Sequence, residues 1–230
     1  MIIIIEGNIS AGKSTLAKKL ASTLGLRLFQ EPVVENPYLA KFYEDPCKWA
    51  LKMQMWLLKQ RYDTYQEGIK HFKATGQGII FDRSIYSDDV FARNSTKCGQ
   101  ISPDGYKKYW AKRAEYLEHC EIPHYTIYLD VSPEICHYRI RHVRCRACES
   151  SIPLEYLKAL HSEYLTFLHD MKQKGSIVLR IDWERFGSVD SIVALVCPPV
   201  KDEEEEEEEE EDVHSYSKLQ HVTVEYEVEL

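Results

Sequence analysis

The run Gly7-Asn8-Ile9-Ser10-Ala11-Gly12-Lys13-Ser14 fits the pattern G-x-x-x-x-G-K-[ST] and follows directly on an unbroken β-branched stretch that closes at Glu6. Such a stretch suits a central strand covered on both faces. Beyond the loop, Leu16, Leu20 and Leu24 keep helical spacing, and Gly25 stands where a helix C-cap is needed. Strand, glycine-bearing loop and helix start, in that order, are the context the motif requires. Its glycines let successive backbone N–H groups wrap an anion, and the helix terminus adds partial positive charge. Gly7 to Thr15 is therefore expected to cradle a nucleoside triphosphate, with Lys13 on the β- and γ-phosphates and the Ser14 hydroxyl on Mg²⁺.

The chain then alternates strand-like and helix-like segments, which predicts an α/β fold with a parallel sheet covered on both sides. Strands are expected over 26–30, 78–82, 125–130 and 177–181. Helices are expected over 46–72, 103–120, 133–142, 153–174 and 187–197. There is no internal repeat, and 230 residues suit one ordinary domain.

The formal net charge of −8 conceals two unlike parts. Residues 201–230 hold fourteen of the 37 acids and two of the 29 bases, which leaves 27 bases against 23 acids in the body. A mildly basic body fits phosphate-bearing ligands. Eleven consecutive acids, Asp202 to Asp212, repel one another and bury nothing. Cys197-Pro198-Pro199 marks the boundary between a domain over 1–198 and a tail over 199–230 expected to be disordered. Within the tail, His221–Leu230 alternates apolar and acidic residues and suits a strand laid on some partner.

No apolar run approaches the ~20 residues of a membrane span, and MIIII is too short for a signal peptide. With seven cysteines, an odd number, these features favour a cytoplasmic, reducing setting. The C-x-x-C pair Cys145/Cys148 has His137 and His142 nearby, but no second ligand pair follows at the spacing a structural zinc needs.

The loop alone does not name the phosphoryl acceptor. An N-K-x-D guanine-reading motif is absent from the sequence, and no apolar run ends in Asp-Glu as in larger ATPases. Instead the third strand ends in Asp82-Arg83-Ser84 and the second in Glu31-Pro32. Both ends fall on the sheet edge where ligands of open α/β sheets bind. A carboxylate there takes a proton from an attacking hydroxyl, and an arginine neutralises the transferring phosphoryl group. A structural ion pair between Glu31 and Arg83 is the plainer reading of the same residues.

GNISAGKST, EPVVENPYL, FYEDPCKWALKMQ, DRSIYSDDVF and RCRACESSIPLEYLKALH, in this order and spacing, resemble the deoxyribonucleoside kinase family over about residues 1–196. The resemblance implies a P-loop kinase fold with a five-stranded parallel sheet flanked by helices, a basic lid, and a homodimer. It also implies transfer of the ATP γ-phosphate to a deoxynucleoside 5′-hydroxyl, with Mg²⁺. On this resemblance Glu31 is the general base and Arg83 acts near the 5′-oxygen and the phosphates. Asp82 takes the Mg²⁺-linked position. Tyr43 and Glu149 hold the 3′-hydroxyl, Gln54 meets the base edge, and Phe91 stacks on the base. Arg139, Arg144 and Arg146 belong to the phosphate lid, for which arginine's planar fork is suited.

Two stretches depart from the family pattern. The lid RIRHVRCRACE is one residue longer than R-I-x-x-R-x-R, which leaves the register of Arg139 against Arg144 open. SDDVFA is one residue shorter than the animal form. Arg61 stands seven residues after Gln54 on the expected helix, so both project from one face. With Asp88 it matches a charged pair that accompanies deoxycytidine and purine deoxynucleoside kinases. That pair narrows the space a thymine 5-methyl needs, so a purine deoxynucleoside or deoxycytidine is expected over thymidine. Two alternatives compete: a thymidylate-type monophosphate kinase, and a catalytically silent P-loop subunit. Glu31-Pro32 argues against the first, and Lys13, Ser14, Glu31 and Arg83 together argue against the second. The sequence points to no nucleic-acid or membrane partner.

Overall fold

A computed structural model describes residues 1–30, 36–145, 149, 151–198 and, for their backbone, 222–224. Five parallel strands form its sheet: β1 (Ile2–Gly7), β2 (Arg27–Phe29), β3 (Ile79–Asp82), β4 (Tyr125–Asp130) and β5 (Ile177–Asp182). Their order is β2-β3-β1-β4-β5, which puts β1 at the centre. Ile2 to Ile5 are each at most 1% exposed, as a run without polar alternation requires when helices cover both faces. Each such side chain contributes roughly 1.5–3 kcal/mol by leaving water.

The five parallel strands match the expected architecture, and a sixth is added. Val222–Val224 (β6) pairs antiparallel with β5, Val222 opposite Ile181 and Val224 opposite Leu179. The alternating C-terminal segment thus contributes a strand to the chain's own sheet edge. The acidic run Asp202–Asp212 lies outside the described residues.

Eight α-helices pack around the sheet among the described residues: α1 (Lys13–Leu24), α2 (Leu39–Glu44), α3 (Pro46–Thr75), α4 (Asp88–Lys97), α5 (Pro103–Leu117), α6 (Pro133–Arg139), α7 (Leu154–Gln173) and α8 (Val189–Val196). The 30-residue α3 is bounded by local chemistry. Asp45 accepts from the Lys48 N–H at its start, Pro46 occupies the first turn, and Gly76 closes it in the left-handed conformation. In its C-terminal third, Gly68 leaves room for Phe81 of β3, since a Cβ there would come within 2.4 Å of the ring. That close approach sets α3 against the sheet and fixes where its Gln54 and Arg61 point.

One departure lies at the lid. The expected helix 133–142 stops at Arg139 and continues as a π-helical turn, Ile140–Arg144, in which the Cys145 N–H donates to the Ile140 carbonyl at 3.1 Å. A π-turn holds one more residue per turn than an α-turn, and such bulges are frequent at functional sites. Among the described residues no helix is long and apolar enough to cross a membrane.

Candidate active site

The C-terminal ends of β1 and β3, the loop after β2 and the start of α1 converge on one cavity of about 370 Å³. At this edge the crossover from β1 leads outward to β2 while that from β3 leads past β1 to β4, the strand-order reversal that forms the usual ligand crevice of such folds.

The phosphate loop forms the floor. Gly7 and Gly12 have φ of +148° and +108°. A Cβ on Gly7 would come within 3.0 Å of the Leu129 carbonyl, and one on Gly12 within 3.2 Å of Trp183 and Phe186. Backbone hand and space both demand glycine here. Asn8 is buried and braces the loop, its Nδ2 donating to the Leu157 carbonyl and its Oδ1 accepting from the Ile9 N–H. Lys13 Nζ donates to the Asn8 carbonyl at 2.7 Å, which holds the amine over the loop. Ile9, Lys13 and Ser14 line the cavity, and Ser14 is exposed to it. Ser10 adopts φ +65°, a strained conformation for a non-glycine residue and a recurrent mark of a ligand loop.

Asp82 and Arg83 form the next wall, both buried and both lining the cavity. The Arg83 backbone sits in the left-handed region at φ +67°, its N–H bonded to the Ile5 carbonyl at 3.1 Å. This turn carries the guanidinium across the end of β1, where it donates to the Tyr164 hydroxyl and lies 4.9 Å from the Phe91 ring centroid. Asp82 Oδ1 is buried and takes no hydrogen bond among the described residues. An acceptor left bare beside a phosphate loop suits a hard cation or its waters.

Away from the loop the cavity becomes a slot lined by α2, α3 and α4. Gln54 is fully buried, lines this slot, and leaves both Nε2 and Oε1 without a hydrogen bond among the described residues. Two orphaned amide atoms cost stability unless something that enters the slot pairs with them. One face of α3 places Arg61 beside it, as the seven-residue spacing predicts. Arg61 forms a buried ion pair with Asp88, whose second oxygen accepts from the Tyr109 hydroxyl at 2.6 Å. Burial pushes the Asp88 carboxyl above the usual carboxylate range, and the Arg61 guanidinium opposes that shift. Phe91 completes the slot, with Arg61 5.5 Å from its ring centroid. Tyr43 and Glu149 line the same cavity.

The lid arginines divide. Arg139 is buried behind the phosphate loop and donates to the carbonyls of Ala11, Trp183 and Glu184, with Phe186 4.5 Å from its guanidinium. It braces the loop, whereas the sequence placed it among the phosphate-binding lid residues. Arg144 lines the cavity, and its Nε lies 3.1 Å from Glu149. Glu31, Arg146 and Cys148 lie outside the described residues. Glu6, Tyr109 and Tyr164 were not anticipated. Only Glu6 carried a signal, as an acid closing a strand buried on both faces. No group of three or more His, Cys, Asp or Glu capable of holding a metal occurs among the described residues.

Fold and site together define a P-loop phosphotransferase with a second slot for the acceptor. The deoxynucleoside kinase family matches residues 3–198, and the chain belongs to it. It is similar to deoxyguanosine kinase of Dictyostelium discoideum, 48% identical over 192 residues that cover 84% of this chain and 67% of that protein. A deoxyadenosine kinase of the same organism is 35% identical over 194 residues, 84% of this chain and 77% of the relative. Among solved structures, deoxyadenosine kinase from M. mycoides with bound dATP superposes with a TM-score of 0.74 at 29% identity, covering 85% of this chain and 98% of that one. The chain is thus an ATP-dependent deoxynucleoside kinase, and the monophosphate-kinase and silent-subunit alternatives are not favoured.

Proposed function

We propose that the preferred acceptor is deoxyguanosine, phosphorylated at its 5′-hydroxyl in nucleotide salvage. The observation that carries the acceptor assignment is Gln54. Its amide has one donor side and one acceptor side, buried and unpaired, and a base edge presents the complement. Arg61 beside it offers donors to the O6 and N7 acceptors of guanine, and the likeness to a deoxyguanosine kinase supports that choice.

In this reading Lys13 and the N–H groups of Gly7–Thr15 bind the donor phosphates, and Arg144 with Arg146 closes over them. Glu31 accepts the proton of the 5′-hydroxyl as it attacks the γ-phosphorus, and the terminal P–O bond breaks to leave ADP. Support for Glu31 is its position directly after Gln30, which lines the cavity. Arg83 stabilises charge on the transferring group. Phe91 stacks on the base, while Tyr43 and Glu149 take the 3′-hydroxyl. Ser14 and Asp82 fit Mg²⁺, since a hydroxyl and one bare carboxylate oxygen suffice for an ion held mainly by phosphates and water. When bound, the ion neutralises phosphate charge. The family resemblance also supports a homodimer, and the odd number of cysteines favours a reducing, cytoplasmic setting.

The test is ADP release with Mg·ATP and each deoxynucleoside offered separately. Turnover with deoxyguanosine above the others is expected. Thymidine as the best acceptor would overturn the reading of Arg61 and Asp88.

A further inference from the structure

Glu6 is fully buried at the end of β1, outside the cavity lining, yet it sits directly beneath two residues of the Asp82-Arg83-Ser84 turn. Its Oε1 accepts from the Ser84 hydroxyl at 2.8 Å, and its Oε2 lies 3.9 Å from Arg83 Nη1. Arg83 and Glu6 side chains are 5% and 0% exposed, so water does not screen their attraction. A carboxylate with no exposure at all is costly to bury and is tolerated only where a partner repays it. Burial holds the Glu6 carboxyl above the usual carboxylate range, and the Arg83 guanidinium is the strongest influence opposing that shift, ahead of Ser87, Ser84 and Arg61.

We propose that Glu6 is a positioning residue for phosphoryl transfer, holding Arg83 in its catalytic orientation from behind. The Arg83 backbone is in the left-handed region and its side chain spans the end of β1. Among the described residues, its guanidinium meets Tyr164 at one edge, the Phe91 face at another, and Glu6 underneath. Of these three, Tyr164 and Phe91 are neutral, and Glu6 is the acid that faces the guanidinium. Ser84, locked to the same carboxylate and donated to by the Tyr86 N–H at 3.2 Å, keeps the turn from relaxing. With its charge matched from below, the arginine is already oriented before the donor phosphates arrive and needs no reorganisation during transfer.

The inference rests on Arg83 acting at the transferring group, and the test separates the two ideas. Glu6→Gln keeps the volume and an acceptor for Ser84 but removes the charge. Its kcat is expected to fall about 10- to 100-fold, the scale of a misplaced catalytic group, with KM for the deoxynucleoside unchanged. In an Arg83→Gln background the same substitution is expected to change kcat little. An equal fall in both backgrounds, or an unchanged kcat in the single variant, overturns the role of Glu6. A near-normal kcat for Arg83→Gln alone overturns the reading of Arg83 instead. If Glu6→Gln does not fold, guanidinium rescue of Arg83→Ala answers the question, because a carboxylate beneath the vacated space should dock the free cation. Saturable rescue by guanidinium, with none by ammonium, supports the proposal, and no rescue overturns it.

Discussion

Arg61 on α3 and Asp88 at the start of α4 form an ion pair with side chains 4% and 0% exposed, and Tyr109 of α5 holds the carboxylate's other oxygen. Three helices thus meet on one carboxylate at the wall of the acceptor slot. Removing one member of a buried pair leaves the other charge uncompensated and costs about 3–5 kcal/mol, while apolar replacement of both is far milder. Asp88→Ala is therefore expected to lose about 3 kcal/mol in urea unfolding, and the double variant Arg61→Met/Asp88→Ala is expected to lose less. The double variant also widens the slot, so its kcat/KM for thymidine relative to deoxyguanosine should rise. An unaltered ratio would mean the pair does not exclude the thymine methyl.

Gln54 sets stability against function. Its two unpaired amide atoms weigh on the empty fold, and Gln54→Leu removes them at similar volume. The ligand-free variant is expected to gain about 1 kcal/mol, from the range for unsatisfied buried groups. Its kcat/KM should fall about 100-fold, because two base-edge hydrogen bonds are lost. Thermal unfolding and steady-state kinetics on one preparation check both signs. A variant that is less stable and fully active would contradict both.

Gly12 and Gly25 offer a matched pair in the left-handed region, with φ of +108° and +65°. A Cβ at Gly12 meets Trp183 and Phe186 at 3.2 Å, whereas one at Gly25 meets nothing within 4 Å. Gly25→Ala is expected to cost roughly 1–2 kcal/mol of backbone strain and keep ATP binding. Gly12→Ala should abolish the rise in Tm that ATP gives the parent protein. Equal ATP-induced shifts in the two variants would show that the loop tolerates displacement.

The strands and the phosphate loop were legible because each depends on local pattern. β1, α1 and β4 follow from β-branched runs, leucine spacing and a terminal glycine. The cavity was legible in part: Gln54 and Arg61 share a helix face by spacing, and Asp82-Arg83 sits at a strand end. α2 and α4 were not anticipated, since Leu39–Glu44 is a single short turn and α4 begins in Asp88-Asp89 rather than an apolar stripe. Tyr109 and Tyr164 were out of reach for another reason. Their partners lie 21 and 81 residues away, and only the packing of α5 and α7 brings them together. Arg139 shows the same limit, because its carbonyl partners in the 183–184 loop carry no side-chain signature.

Burial separates the cysteines by reactivity. It pushes the Cys120 thiol up to about 11 and the Cys136 thiol up to about 12, while Cys47, Cys98, Cys145 and Cys197 are exposed. The thiolate is the nucleophile, so iodoacetamide at pH 8 should alkylate the exposed group and spare Cys120 and Cys136 in the folded protein. The same shifts carry a linkage sign. A thiol harder to ionise when folded contributes stability that is whole below its unfolded value near 9.0 and lost as pH rises toward its folded value. The urea midpoint should accordingly fall above pH 9, and Cys136→Ala should flatten that fall. Early labelling of Cys136 by mass spectrometry would refute its burial.

The π-helical turn makes a prediction of its own about the lid. Arg139 and Arg144 are five residues apart, and an i→i+5 turn brings residues at that spacing onto one side of the helix. In an ordinary α-helix the same alignment belongs to residues four apart. Deleting Val143, which is 67% exposed, converts the first spacing to the second and lets the turn close as α-helix. Arg139 then keeps its carbonyls behind the phosphate loop, and the following arginine keeps its place over the cavity. The deletion is expected to shift Tm by less than about 4 °C, the equivalent of ~1 kcal/mol at this size, and to retain kcat within about threefold, less than ~1 kcal/mol of barrier. An alanine inserted after Val143 has no such outlet, since the turn is already π-helical. It should swing Arg144 off the cavity and raise KM for ATP at least tenfold, about 1.4 kcal/mol of lost binding. Equal kinetics for the deletion and the insertion would show that the register of Arg144 does not govern donor binding.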